Sequence, residues 1–299
     1  MPKILLQTTI PFADDDWTVA RFSLLRDALV ADGNEVVARD QEPDANHNDR
    51  LLMRLPDSDF DQLWLMAVDT GDGLTQAESA AIIEFRTQGG GVLTARDHQD
   101  LGLCLRHLGS LGQFNHFHTY NLEPGRTESD DQDNPNISYP NYHSGANGNY
   151  QKIAAVDPVH PLLKSTKAAS GVIEYFPAHP HEGAVGVPEG TTFARVIATG
   201  TSTVTGRPFN LSVAVEGESF DGGIMGRAVA VSTFHHFADL NWDTETGAPS
   251  FVTDKPGDEI KRDPARIEIF KDYVRNIARW LGVRTRSAQR DARHVVQRR

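Results

Sequence analysis

The chain has 299 residues, 39% apolar and 23% charged, enough apolar content for one large α/β domain or two small ones. No apolar run approaches the ~20 residues of a membrane helix, and Met1-Pro2-Lys3 leads straight into a strand instead of a signal peptide. A net charge of −12 argues against a nucleic-acid partner, and a single cysteine, Cys104, excludes an intrachain disulfide and fits a reducing, cytoplasmic setting.

The first element is the apolar run Lys3–Thr9, a parallel strand ending in polar residues. Asp14, Asp15 and Asp16 then precede a helix that is expected to start at Trp17 and to bury Trp17, Ala20, Leu24 and Ala28. Glu35–Arg39 and Phe60–Val68 read as the second and third strands. Thr75 and Glu78 form a capping box that opens the next helix, which carries Ala81, Ile82 and Phe85 on its apolar face. Gly89 ends that helix, and Val92 and Leu93 make a fourth strand that exits through Arg96, Asp97 and His98. A helix is expected over Gln99–Leu108.

From Gln113 to Tyr150 no apolar period survives, and seven Asn, six aromatic residues and three His crowd a long inserted loop or lid. The runs Arg195–Thr199, Leu211–Val215 and Ala228–Ser232 follow with no helix between them, which predicts an antiparallel extension of the sheet. Asp263 and Pro264 start a last helix with Ile267, Phe270, Val274, Ile277, Ala278 and Leu281 on one face, ended by Gly282. Residues 284–299 hold six Arg against one Asp and read as a dispensable basic tail beyond a single domain of residues 1–283. The β-α-β-β-α-β start argues a mostly parallel sheet covered on both faces, an α/β three-layer sandwich of the flavodoxin-like kind.

The order of these elements resembles the class I glutamine amidotransferase-like fold, and within it the ThuA-like family. The matching features are Lys3–Thr9, Leu74–Glu78, Gly89–Leu93, Val159–Leu162, Glu174-Tyr175 and Gly226–His236. The resemblance implies a small polar, carbohydrate-related metabolite as ligand. It also implies an elbow cysteine in a Gly-x-Cys-x-Gly setting, but that position holds Arg96, flanked by Thr94 and His98. Glutamine amidotransfer through an elbow thiolate is therefore not expected. Cys104, set among Leu101, Leu103, Leu105 and Leu108, reads as a small buried hydrophobe.

Twelve histidines remain to be explained, and several fall at strand exits. Ligands bind outside the carboxyl ends of parallel strands, so His98 is expected to share a pocket with His235 and His236. Asp97 and His98 are the acid–base candidates. Asp69, Arg96, His179, His181, Glu182, His235 and His236 are the ligand-binding candidates, with His179, His181 and Glu182 forming the opposite wall. His98, His235 and His236 are the metal-ligand candidates, for zinc or a similar divalent ion. No HExxH spacing supports them, so a metal site, a metal-free polar pocket and unrelated surface histidines all stay open. Two function classes follow: an enzyme acting on a sugar-like substrate, and a non-catalytic binding or assembly protein. A homo-oligomer is compatible with either.

Overall fold

The computed structural model describes residues 1–125 and 136–282. Its centre is an eight-stranded sheet. Four strands near the N-terminus are β1 (Lys3–Pro11), β2 (Glu35–Gln41), β3 (Gln62–Met66) and β4 (Gly91–Ala95). The strand order is β2, β1, β3, β4, then Ala228–Val231, Pro208–Val215, Ala194–Thr201 and Ala154–Ala155. The fold is a flavodoxin-like α/β sandwich, mostly parallel, with an antiparallel extension.

The extension begins one strand later than the sequence suggests. Ala228–Val231 lies parallel to β4, with Val229 opposite Leu93 and Val231 opposite Ala95. Only the next pairings are antiparallel. Missing an intervening helix does not settle direction, because the chain returns across the sheet by the Pro208–Val215 strand. The consequence matters for the site: β1, β3, β4 and Ala228–Val231 all deliver their C-terminal ends to one edge.

Strand alternation divides the core between two faces. Ile4, Leu6, Trp64, Met66, Leu93 and Val229 point to one side, where α1 (Ser23–Ala31) and the helix Pro264–Leu281 supply Leu25, Leu29, Phe270, Val274, Ile277 and Leu281. Leu5, Leu63, Leu65, Val92 and Ala230 point to the other, against Ile82 and Phe85 of the helix Gln76–Thr87. That helix has the expected capping box: Glu78 N–H donates to Thr75 Oγ1 (3.1 Å), and Thr75 N–H donates to Glu78 Oε2 (2.7 Å). Gly89 ends it at φ +89°, a conformation that favours glycine.

Three local expectations change. Asp14–Asp16 do not start a helix at Trp17; a 3₁₀ turn spans Val19–Phe22 and α1 begins at Ser23. Its N-terminal N–H groups are capped from far away, by Asp239 accepting from Ser23 N (3.0 Å) and Leu24 N (2.8 Å). Trp17 therefore sits before the helix but is buried, as is Ala28; Leu24 is half-buried, Ala20 is exposed, and Phe22, Leu25 and Leu29 join the core. Residues Gln99–Leu108 form only a short 3₁₀ stretch over Leu103–His107, after Gly102 turns left-handed at φ +80°.

Where it is described, the long inserted segment 113–150 is tied to the rest of the fold by short pairings. Asn115–His116 pairs with Ala184–Val185, Tyr150–Lys152 pairs with Tyr175–Pro177, and Tyr142 bridges to Glu182. Residues 126–135 of this segment and the basic tail 284–299 lie outside the described residues. No helix among the described residues is long and apolar enough to cross a membrane.

Candidate functional site

A cavity of about 580 Å³ opens at the C-terminal edge of the parallel strands. Four of the five parallel strands contribute, all but β2: Ile10 from β1, Val68, Asp69 and Thr70 after β3, Asp97 and His98 after β4, and His235 after Ala228–Val231. The volume lies within the range of small-molecule sites. His179 and His181 reach it from the loop after Tyr175–Pro177, and Ile137 and Asn147 reach it from the long insertion.

Asp97 organises the floor. Its Oδ1 accepts a hydrogen bond from Thr233 Oγ1 (2.7 Å), a contact set up by the register of β4 against Ala228–Val231. Its Oδ2 faces three imidazoles: His98 Nδ1 at 2.9 Å, His235 Nε2 at 3.5 Å and His179 Nε2 at 3.6 Å. The His179 and His235 rings stack, with centroids 3.5 Å apart and planes 12° from parallel. Trp17, displaced from the helix, packs edge-on against His235 at 4.5 Å.

Burial works against ionising Asp97, but the imidazoles of His179, His235 and His98 hold its carboxyl well below the usual carboxylate range. Burial pushes His179 well below the ordinary imidazole value and lowers His235 as well, with Asp97 opposing the shift in both. Burial thus disfavours the protonated imidazole at both His179 and His235, and a metal takes its histidine ligands deprotonated.

The ligand atoms of Asp97, His179 and His235 all lie within 4.8 Å of one another. A tetrahedral centre with ligand bonds of about 2.0–2.1 Å sets its ligand atoms about 3.3–3.4 Å apart. The 3.5 and 3.6 Å separations from Asp97 Oδ2 come close to that edge and are too long for N–H···O hydrogen bonds. His179 Nδ1 lies 2.9 Å from Asn147 Oδ1, so Nδ1 carries the proton and donates to the amide. That tautomer leaves the lone pair on Nε2, which is buried without a hydrogen-bond partner. An outer residue fixing the tautomer of a ligating histidine is the usual arrangement around a protein-bound metal.

The structure brings the candidates His98, His179, His181, His235, Asp97 and Asp69 to one cavity, whereas three others, Arg96, Glu182 and His236, lie behind its wall. Arg96 is fully buried on the opposite side of the chain from Asp97, as alternation along an extended segment demands. Its guanidinium sits over Phe117 at 4.3 Å, Nη2 donates to Gln99 O (2.5 Å), and burial lowers it to about 9. Glu182 alternates away from His181 in the same manner, because its backbone pairs with Tyr142 in both directions. Its carboxylate accepts from Ser144 Oγ (2.5 Å), Ser232 Oγ (3.0 Å) and Gln151 Nε2, and faces His236 Nε2 at 3.3 Å.

His236 belongs to that buried network and not to the cavity. His235 and His236 are consecutive on the 3₁₀ turn Phe234–Phe237, where three residues complete a turn and neighbours diverge. The expected metal-ligand candidates His98, His235 and His236 are therefore not brought together, because His236 lies outside the cavity; the side chains whose ligand atoms converge are Asp97, His179 and His235. His179 also adjoins His235 instead of facing it across the pocket. The convergence of Asp97 with His179 is not legible in the sequence, since they lie 82 positions apart and no local spacing joins them.

Cys104 is buried as expected, but it is not merely apolar. Its thiol donates to Asp69 Oδ2 at 2.9 Å, and burial, with Asp69 adding to it, pushes the thiol well above its ordinary value. Asp69 also accepts from Thr9 Oγ1 (2.7 Å) and the Gly71 N–H (2.8 Å), which braces the turn after β3.

Taken together, fold and site define a flavodoxin-like α/β protein with a two-histidine, one-carboxylate cluster at its ligand edge. No family model and no curated protein matches the chain. Among solved structures it is similar to the glutaminase domain of Trypanosoma brucei CTP synthase with bound acivicin, at 13% identity and a TM-score of 0.47 over 92% of this chain and 94% of that one. The fold class rests on the strand order itself.

Proposed function

We propose that the chain is a metal-dependent enzyme acting on a small polar metabolite in the cavity at the sheet edge, with Asp97, His179 and His235 as metal ligands. The observation that carries this reading is the buried Nε2 of His179, held as a lone pair by Asn147 and aimed at the same carboxylate oxygen as His235. A divalent ion there would supply Lewis-acid activation of water or of a substrate oxygen. His98, half-buried and hydrogen-bonded to Asp97, is the side chain placed to move a proton at the cavity wall.

Amidotransfer by a thiolate has no support in this chain. Its one cysteine donates its proton to Asp69 and does not line the cavity. The resemblance to ThuA-like proteins adds a sugar-like substrate to the proposal; Trp17 and Phe251 at the cavity are surfaces on which a sugar ring stacks.

Elemental analysis of the purified full chain tests the reading. About one equivalent of zinc or iron per chain is expected, retained in His98→Ala and His236→Gln and lost in Asp97→Ala and His179→Ala. A chain that stays metal-free after incubation with zinc and ferrous iron overturns it, and favours a binding protein without a metal.

A further inference from the structure

The cavity wall carries a charge pattern that goes beyond metal binding. Five aspartates line it: Asp69 and Asp97 in the floor, and Asp16, Asp72 and Asp254 toward the mouth. No lysine or arginine lines it among the described residues. Asp72 and Asp254 are exposed and Asp16 half-buried, so the mouth carboxylates face whatever enters.

The mouth is also built, not merely acidic. Asp15, at φ +61°, accepts from Ser250 N–H (2.7 Å) and from the Ser250 hydroxyl, which ties the turn before Trp17 to the segment carrying Phe251 and Asp254. Asp16 Oδ1 accepts from Trp17 N–H at 2.7 Å, holding carboxylate and indole together. Asp254 Oδ2 lies 3.7 Å from His181 Nε2. A second, independent feature marks the place as a ligand site: the buried, unpartnered Nε2 of His179 in the same wall.

We infer that this cavity selects a small cationic substrate, an amine whose ammonium sits among the mouth carboxylates and whose body lies between Trp17 and Phe251. Resting on the proposed site, this names the substrate's charge class. Clefts lined by one sign of charge raise the local concentration of the opposite sign and reject their own. Five aspartates against one divalent ion leave the wall negative, so the preference holds with the metal in place. Ammonium groups beside aromatic faces gain further attraction. Phosphorylated and carboxylated metabolites are disfavoured.

Two matched probe series test the charge preference by calorimetry on the full chain, as purified and after chelation. They are glucosamine, glucose and glucuronate, and benzylamine, benzyl alcohol and benzoate. In at least one series the amine is expected to bind at least tenfold more tightly than the acid, with the neutral compound between them. Asp72→Asn and Asp254→Asn should each weaken amine binding about two- to fivefold, as expected for exposed charge pairs, and added salt should do likewise. Equal or tighter binding of the acids, no binding of any probe, or unchanged affinity in both variants overturns the inference. A metal-loaded chain that prefers the acids leaves the proposed function standing and removes only this step. A metal-free chain that prefers the amines does the reverse.

Discussion

Gly183 is where the site is packed most tightly. A Cβ there would fall 2.7 Å from the Ser232 carbonyl and closer still to the Asp97 carbonyl and Arg96 Nη1. Backbone on two sides cannot yield, so Gly183→Ala should destabilise the chain by about 1–3 kcal/mol or more, as overpacking does, and should weaken metal retention by displacing Asp97. A urea melt with the wild-type midpoint would contradict this. The neighbouring Glu182 makes a separate prediction. Its carboxylate is the common acceptor for Ser144, Ser232 and Gln151 and the partner of His236, with no exposure to solvent. Glu182→Ala strands those donors in the core and should cost about 3–5 kcal/mol. His98→Ala, at the half-open wall, should cost little. Equal losses in the two variants would mean that the buried network and the cavity wall have been confused.

At the scale of elements, most of what was legible in the sequence was local. The capping box at Thr75 and Glu78, the left-handed Gly89 and the apolar face of Pro264–Leu281 depend on neighbours within a few positions, and each appears as read. The start of α1 was not legible, because its cap comes from Asp239, 216 residues away in sequence. Nor was the direction of Ala228–Val231, which depends on which strand it finds as partner. Asp97 and His98 could be placed at the ligand edge because both follow β4. The inward turns of Arg96, Glu182 and His236 depend on alternation in segments whose extended or 3₁₀ state the sequence leaves open. The remote cap is testable. Asp239→Ala removes acceptors for Ser23 N, Ser23 Oγ and Leu24 N and should cost about 1–2 kcal/mol, the scale of a lost N-cap. Trp17 packs on His235 just before that helix, so its fluorescence should shift in the same variant. An unchanged melt would show that the cap is not worth its geometry.

For the whole molecule, buried neutral histidines set the acid side of stability. His160 is buried and its desolvation, with Arg195 and Arg227 nearby, lowers it to about 4, while His179 and His235 are lowered as well. In the unfolded chain each takes up a proton near pH 6.5; in the folded chain each resists it. The stability they allow is complete above pH 6.5 and is lost as pH falls toward the folded values. His160 alone should account for about 3 kcal/mol of that loss between pH 6.5 and 4. His160→Asn keeps an acceptor for the Leu162 N–H that His160 now caps, and should flatten this part of the pH profile. A profile identical to wild type would exclude His160 as a source.

The central claim is that two parallel strand ends, carrying Asp97 and His235, and the loop after Tyr175–Pro177, carrying His179, bring these three side chains to one metal. The most direct measurement is an anomalous difference map from a crystal grown with zinc. One peak is expected, about 2.0–2.2 Å from Asp97 Oδ2, His179 Nε2 and His235 Nε2. A map with no peak at that cluster, or with zinc held by His98 or His236 instead, would contradict it.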